Sequence, residues 1–131
     1  MMGAFDMLRI AGSSLGMHQT WLDALAHNIS NVNTVTSTDE DAFQAQMVVA
    51  RTRPDGGVRV GGIEYGDAEG RMVHSPDHPL ADENGYVRMP DIDMSSQMSQ
   101  LVMAQRGFQA SVQVTKNAQD SYNAALQIGR S

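Results

Sequence analysis

The sequence predicts an α+β fold: long N- and C-terminal α-helices paired antiparallel as a coiled coil, with a small central β-meander and a Pro-rich loop between them. Heptad-spaced apolar residues at both ends of the 131-residue chain predict the helices. Alternating apolar residues and Gly-rich turns predict the strands. We therefore expect an N-terminal helix of the coiled-coil core in residues 1–38, a central β-rich segment and loop in 39–93, and a C-terminal helix of the core in 94–131.

The N-terminal helix is predicted to run from about Phe5 to Asn31. We interpret His18 as a packing residue inside the helix seam and Trp21 as a packing anchor beside it. Gly12 and Gly16 allow another backbone to approach closely, although each glycine also costs the helix roughly 1 kcal/mol. Two rows with a seven-residue repeat define the seam: Leu8, Leu15, Leu22 and Ile29, and then Ala11, His18, Leu25 and Val32.

The C-terminal helix is predicted to follow an N-cap at Asp93 and to end at Gly129. Steps of four and three residues give the row that faces the first helix: Met94, Met98, Leu101, Gln105, Phe108, Val112, Thr115, Gln119, Tyr122 and Leu126. This spacing is typical of a seam between two helices. The side chains predicted to fill the intramolecular seam are Leu8, Leu15, Leu22, Leu25, Ile29, Met98, Leu101, Phe108, Val112, Tyr122 and Leu126.

The middle of the chain is predicted to form short strands joined by turns. Pro54-Asp55-Gly56-Gly57 has the composition of a turn. The section from Ser75 to Asp93 holds three of the four prolines and is therefore predicted to be mostly loop. Predicted extended segments are residues 42–51, residues 58–65 with a bulge at Gly61-Gly62, residues 71–74 and residues 86–89.

The charge distribution separates the helical ends from the middle. The chain has a net charge of −6, and twelve of its fifteen acidic residues lie between residues 39 and 93. The outer positions of both helices are mainly Ser, Gln, Asn, Gly and Ala. Such polar but uncharged faces are typical of surfaces buried against other protein. The negative charge argues against a nucleic-acid partner, and no apolar run predicts direct membrane insertion.

Residues suited to catalysis are scarce in this sequence. There is no cysteine, and we find no nucleophile elbow, P-loop or dinucleotide fingerprint. His74, Asp77 and His78 resemble metal ligands, but Pro76 and Pro79 exclude the helix on which a His-x-x-x-His pair binds metal. We therefore predict no enzyme activity, catalytic residue, metal or cofactor. A small metal-dependent hydrolase that uses these three side chains stays open as an alternative.

Two ordered motifs resemble the bacterial flagellar rod, hook and hook-associated proteins. Residues 25–34 (LAHNISNVNT) are similar to the N-terminal motif A-N-N-I-A-N-x-N-T of that family. Residues 105–111 (QRGFQAS) are similar to its C-terminal form S-R-A-Y-Q-A-N. The segments HPLAD at 78–82, GYV at 85–87 and PDID at 90–93 narrow the resemblance to the small proximal-rod members.

The resemblance implies a structural subunit of the proximal rod, polymerising helically through its terminal helices to form the periplasm-spanning drive shaft that transmits motor torque. Implied partners are other flagellar rod proteins, copies of itself, the base of the rod at the membrane-embedded ring, and the type III export apparatus, which secretes it without a cleaved signal peptide. A soluble cytosolic helical-hairpin adaptor is the main alternative. Expected subunit contacts are Asn28, Asn31, Asn33, Thr34, Arg106 and Gln109.

Overall fold

The computed structural model describes residues 3–129 and has the predicted α+β layout, with a long helix at each end of the chain. Two small antiparallel sheets occupy the middle. Neither helix in the described part of the chain has a stretch long and apolar enough to cross a membrane. The elements are α1 (Ala4–Ser30), β1 (Gln46–Thr52), β2 (Val58–Tyr65), β3 (Arg71–His74), β4 (Tyr86–Met89) and α2 (Met94–Ile128).

Capping residues fix three of the helix ends near their predicted positions. The Asp93 side chain accepts a hydrogen bond from the Ser95 backbone N–H (3.1 Å), which satisfies one of the free N–H groups at the start of α2. Asn31 caps the C-terminus of α1, where its side-chain amide donates to the His27 carbonyl oxygen (2.9 Å). Gly129 follows the last residue of α2, but its φ of −67° is right-handed rather than left-handed.

The two helices lie antiparallel against each other. The rings of Phe5 and Tyr122 have their centroids 6.5 Å apart at one end of the pair. At the other end, the side chains of Asn28 and Gln97 are joined by a hydrogen bond of 3.0 Å. The buried residues of the pair are mostly small, so the helix backbones approach closely: Ala11, Ala24, Leu25, Asn28, Ala104, Ser111 and Ala118.

The four strands form two separate hairpins rather than one continuous meander. β1 pairs antiparallel with β2, and β3 pairs antiparallel with β4. Gly61 is the extra residue of a bulge, because Val49 lies opposite Gly62 while Ala50 lies opposite Val60. The predicted bulge at this glycine pair therefore exists, whereas β3 takes β4 as its partner instead of β2.

The loop that leads into β4 is held by Asp82. Its carboxylate accepts hydrogen bonds from the backbone N–H groups of Asn84 and Tyr86, both at 2.9 Å, and from the Thr38 hydroxyl at 3.1 Å. The bond from Tyr86 is the main reason that the pKa of Asp82 lies below its ordinary value of 3.8, and burial, which raises the pKa, is outweighed. Arg88 adds a bond to the Thr38 carbonyl oxygen (2.9 Å).

Candidate subunit-contact surface

The residues of α1 that meet α2 differ in part from the predicted rows. Ala11 and Leu25 are buried, and His18 lies against Gly107 of α2, so this row faces the other helix. The second row in contact contains Ser14 and Asn28, which bond to α2 directly. The predicted leucine row lies one residue C-terminal to this second row along the sequence. Its members are only half-buried: Leu8, Leu15, Leu22 and Ile29.

The same one-residue offset occurs in α2. Leu101, Phe108 and Tyr122 are half-buried beside α1. The other predicted row differs from the structure, because Met98, Val112 and Leu126 remain 46%, 44% and 52% exposed. The buried positions just before that row hold Ala104, Ser111 and Ala118 instead. Large apolar side chains governed the predicted register, but a close helix contact accommodates small side chains at its centre.

Both displaced rows lie on the same side of the helix pair. A step of one residue turns a side chain by about 100° around its helix. In two antiparallel helices that face each other, this step moves both rows toward the same side of the pair. We call the resulting stripe the apolar ridge; it consists of Leu8, Leu15, Leu22, Ile29, Met98, Val112 and Leu126.

The opposite side of the helix pair carries the β1–β2 hairpin. The Ser13 hydroxyl accepts a hydrogen bond from the Val58 N–H (3.1 Å) and donates one to the Ile10 carbonyl oxygen (2.7 Å). A side chain at Gly57 would crowd this hydroxyl, since a Cβ there would lie 2.7 Å from it. A groove of about 370 Å³ remains between the hairpin tip and the helices, lined by Met7, Ile10, Ala11, Ser14, Gly56, Ala110, Ser111 and Val114.

An ion pair between Arg9 of α1 and Asp55 of the hairpin turn adds to this contact. Arg53 also pairs with Asp55 at 3.2 Å. Burial raises the pKa of Asp55, but the Gly57 N–H and these two guanidinium groups outweigh it, so the pKa lies below 3.8. The hairpin is thus tied to α1 by hydrogen bonds and by charge, which leaves the apolar ridge as the uncovered side.

The family-motif residues divide into internal and exposed groups. Asn28 is 1% exposed, so its side chain serves the interior of this chain and offers no surface for a neighbour. Asn31 and Thr34 bond to each other through their side chains (3.1 Å) at the end of α1. Asn33, Arg106 and Gln109 are exposed, and they stay predictions as neighbour contacts.

Asn28 joins three elements. Its amide nitrogen donates to the Gln46 carbonyl oxygen (2.9 Å) and to Gln97 Oε1 (3.0 Å), while its oxygen accepts from the Gln46 N–H (2.8 Å). These bonds fasten the end of α1 to the start of β1 and to the first turns of α2. Beside them lies a cavity of about 430 Å³ whose wall includes Trp21 and Gln100.

Sequence reasoning missed the contact between His18 and Gly107. A Cβ atom at Gly107 would overlap the His18 ring, so the glycine provides the space for that ring. It also missed the hydrogen bond between the hydroxyl groups of Ser14 and Ser111 (2.9 Å). A glycine within a helical pattern was the available signal, since such a glycine often marks a close approach.

The two histidines of the hydrolase alternative are engaged in local contacts. The His78 ring accepts a hydrogen bond from the Leu80 N–H through Nδ1 (3.0 Å). The His74 ring packs edge-on against Tyr86, with centroids 4.9 Å apart. Over residues 3–129, no group of three or more His, Cys, Asp or Glu side chains is placed to hold a metal ion.

Exposed apolar side chains along α2, beside half-buried ones along α1, give this helix pair the surface of a structural subunit that packs against other protein. Comparison with known proteins agrees with this class. Residues 83–128 match the family model for the flagellar basal body rod FlgEFG protein C-terminal region. The match covers the β4 strand and the whole of α2.

Curated relatives extend the similarity to almost the whole chain. The flagellar basal-body rod protein FlgC of Yersinia enterocolitica is 34% identical over 98% of this chain and all of the relative. FlgC of Salmonella typhimurium is 32% identical with the same coverage, and FlgC of Borreliella burgdorferi is 26% identical over 97% of this chain and 98% of the relative. The chain belongs to the FlgC family of flagellar basal-body rod proteins, which are structural subunits.

Proposed function

We propose that this chain polymerises helically, with other rod proteins and with copies of itself, to form the proximal rod. This rod spans the periplasm as the drive shaft of the flagellum and transmits motor torque. The single observation that carries the proposal is the apolar ridge. Its α2 members, Met98, Val112 and Leu126, are exposed, and its α1 members are half-buried. A protein that worked alone would have no use for such an apolar stripe.

Burial of the ridge against a neighbour supplies the driving force for assembly. Full burial of a large apolar side chain is worth about 1.5–3 kcal/mol, and Met98, Val112 and Leu126 each retain about half of their exposure. Residues 1–38 and 94–131 together hold only three acidic and four basic residues. Two such surfaces therefore come together without leaving many charges unpaired.

Further proposed partners of the chain are the base of the rod at the membrane-embedded ring and, during secretion, the flagellar type III export apparatus. Export takes place without a cleaved signal peptide, and no step requires nucleic acid or direct membrane insertion. Support comes from the relatives, which are basal-body rod proteins, and from the net charge of −6, which repels nucleic-acid phosphates. Exposed Asn33, Arg106 and Gln109 are the proposed polar contacts to neighbours.

A matched pair of charge substitutions tests the role of the ridge. Val112 and Gln113 are adjacent in α2 and both are exposed, but only Val112 belongs to the ridge. We expect Val112→Asp to remove the chain from isolated basal bodies and to abolish swimming, because burial of an unpaired carboxylate opposes assembly. Gln113→Asp adds the same charge and should be tolerated.

The measurement is the amount of each variant in purified basal bodies, with the amount in whole cells as the control for synthesis. Equal incorporation of the two variants contradicts the assigned contact surface. If even the unsubstituted chain stays in the cytosol as a folded monomer or dimer, the rod proposal is wrong and the helical-hairpin adaptor replaces it.

A further inference from the structure

The apolar pattern of the two helices does not by itself fix how far one helix is displaced along the other. A seven-residue repeat presents the same pattern again after a shift of seven residues, so a slipped hairpin retains much of the seam. The small side chains of Ala11, Ala104 and Ala118 present little steric resistance to such a shift. Some other feature must select the observed register.

The His18 ring fits only over a residue that lacks a side chain. Its Nδ1 donates a hydrogen bond to the Ser14 carbonyl oxygen one turn earlier (2.8 Å), which holds the ring toward α2. Gly107 lies directly beneath the ring, and a Cβ atom at this position would overlap the ring nitrogen Nε2 and carbon Cδ2. Gly107 is the only glycine between Met94 and Ile128.

Two hydrogen bonds between the helices share this register. The hydroxyl groups of Ser14 and Ser111 are 2.9 Å apart, and the Asn28 amide donates to Gln97 at 3.0 Å. Ser14 and Asn28 are fourteen residues apart, and their partners are fourteen residues apart in the opposite direction. All three contacts therefore form together or not at all.

We propose that His18 and Gly107 form a register pair that admits one longitudinal alignment of the two helices and excludes the alignments shifted by seven residues. A shift of seven residues places His18 against Gln100 or Val114, and both carry a Cβ atom where the ring must lie. The same shift places Ser14 opposite Ala104 or Ala118 and removes its hydroxyl partner. The polar contacts thus stabilise the native register, and the His18 ring destabilises the shifted registers.

Disulfide trapping measures the register directly, because the chain has no cysteine of its own. Ser14→Cys combined with Ser111→Cys reports the native alignment. Ser14→Cys combined with Ala104→Cys or with Ala118→Cys reports the two shifted alignments. Each pair is introduced in place of the normal chain in flagellated cells and oxidised there, and the internal disulfide is quantified by mass spectrometry. We expect only the first pair to form its disulfide in high yield.

The register pair is then altered in the cells that carry the native reporter. Gly107→Ala favours helix formation by itself, so any loss of the disulfide comes from the clash. Overpacking of a close contact costs enough to lower the yield about tenfold. The double variant His18→Ala/Gly107→Ala lacks the ring and should restore the disulfide yield. It is also the control for a general folding defect in Gly107→Ala.

Unchanged yield in Gly107→Ala overturns the proposal, as does failure of His18→Ala to restore it. High yield from either shifted reporter in the unsubstituted chain overturns it too. The disulfide yield and the amount of the chain in basal bodies are measured separately. If the native disulfide forms but the chain is missing from basal bodies, the register pair holds and the proposed function fails.

Discussion

At the scale of single residues, the buried amide of Asn28 has the most structural consequence. Replacement by Ala removes three hydrogen bonds and leaves Gln46 and Gln97 with unsatisfied groups, each at a cost of about 1–3 kcal/mol. We predict that Asn28→Ala loosens the connector before β1, measured as faster protease cleavage between residues 35 and 46 in isolated basal bodies. Ser30→Ala is the control, because Ser30 is exposed and its hydroxyl donates to the Ala26 carbonyl oxygen within α1. Equal cleavage rates would contradict the assignment.

The pH dependence of the loop before β4 is set by Asp82. Because the pKa of Asp82 is lowered in the folded loop, its stabilising effect is complete above the ordinary value of 3.8 and disappears as the pH falls through the lowered pKa. We predict that the amide signals of Asn84 and Tyr86 lose protection from exchange in this acidic range, as followed by NMR of the full chain. Asp82→Asn should flatten this pH dependence, whereas Asp77→Asn should leave it in place.

At the scale of elements, the sequence was sufficient to predict both helices, the strands and the bulge, because each depends on local pattern. The register of the helix seam was predicted only in part. His18 and Leu25 lie in a row that faces α2, but Val112 lies outside the contact and Ser111 lies inside it. Periodicity identifies apolar rows but does not distinguish a seam between two helices from a surface reserved for a third.

The glycines of α1 give a prediction about the stability of that helix. Apart from the adjacent residues and the backbone of α1 itself, no atom lies within 4 Å of a Cβ built at Gly12 or Gly16, so alanine is accommodated at both positions. Each substitution should favour the helix by roughly 1 kcal/mol, and circular dichroism of the isolated chain should show increased helicity. A decrease would indicate that these positions are crowded in the free protein.

At the scale of the whole molecule, the helices have too little intramolecular burial to be stable alone. They contain 27 and 35 residues, and their seam is made largely of Ala and Ser. Ordering a residue costs about 1–2 kcal/mol, and small seam side chains recover little of it. We predict that dilute isolated chain shows far less helix than these 62 residues by circular dichroism. Full and cooperative helicity in the dilute monomer would contradict this.

Family membership was accessible from the sequence because the two terminal motifs occur in order, and the relatives now establish it. The division into two hairpins was not accessible, since the partner of β3 depends on how the loop around Asp82 folds back. The internal role of Asn28 was also missed. A motif residue can serve internal packing as readily as subunit contact, and only the structure places this side chain between α1, β1 and α2.

The position of Asn28 has a mechanical consequence. The Asn28 side chain hydrogen-bonds the end of α1 to the beginning of β1 and to the beginning of α2, so these three segments meet at a rigid junction. Torque on either helix is therefore transmitted to the β1–β2 hairpin through these hydrogen bonds rather than through a flexible connector. In the proposed drive shaft, such a junction would limit the elastic lag between the helices and the strands.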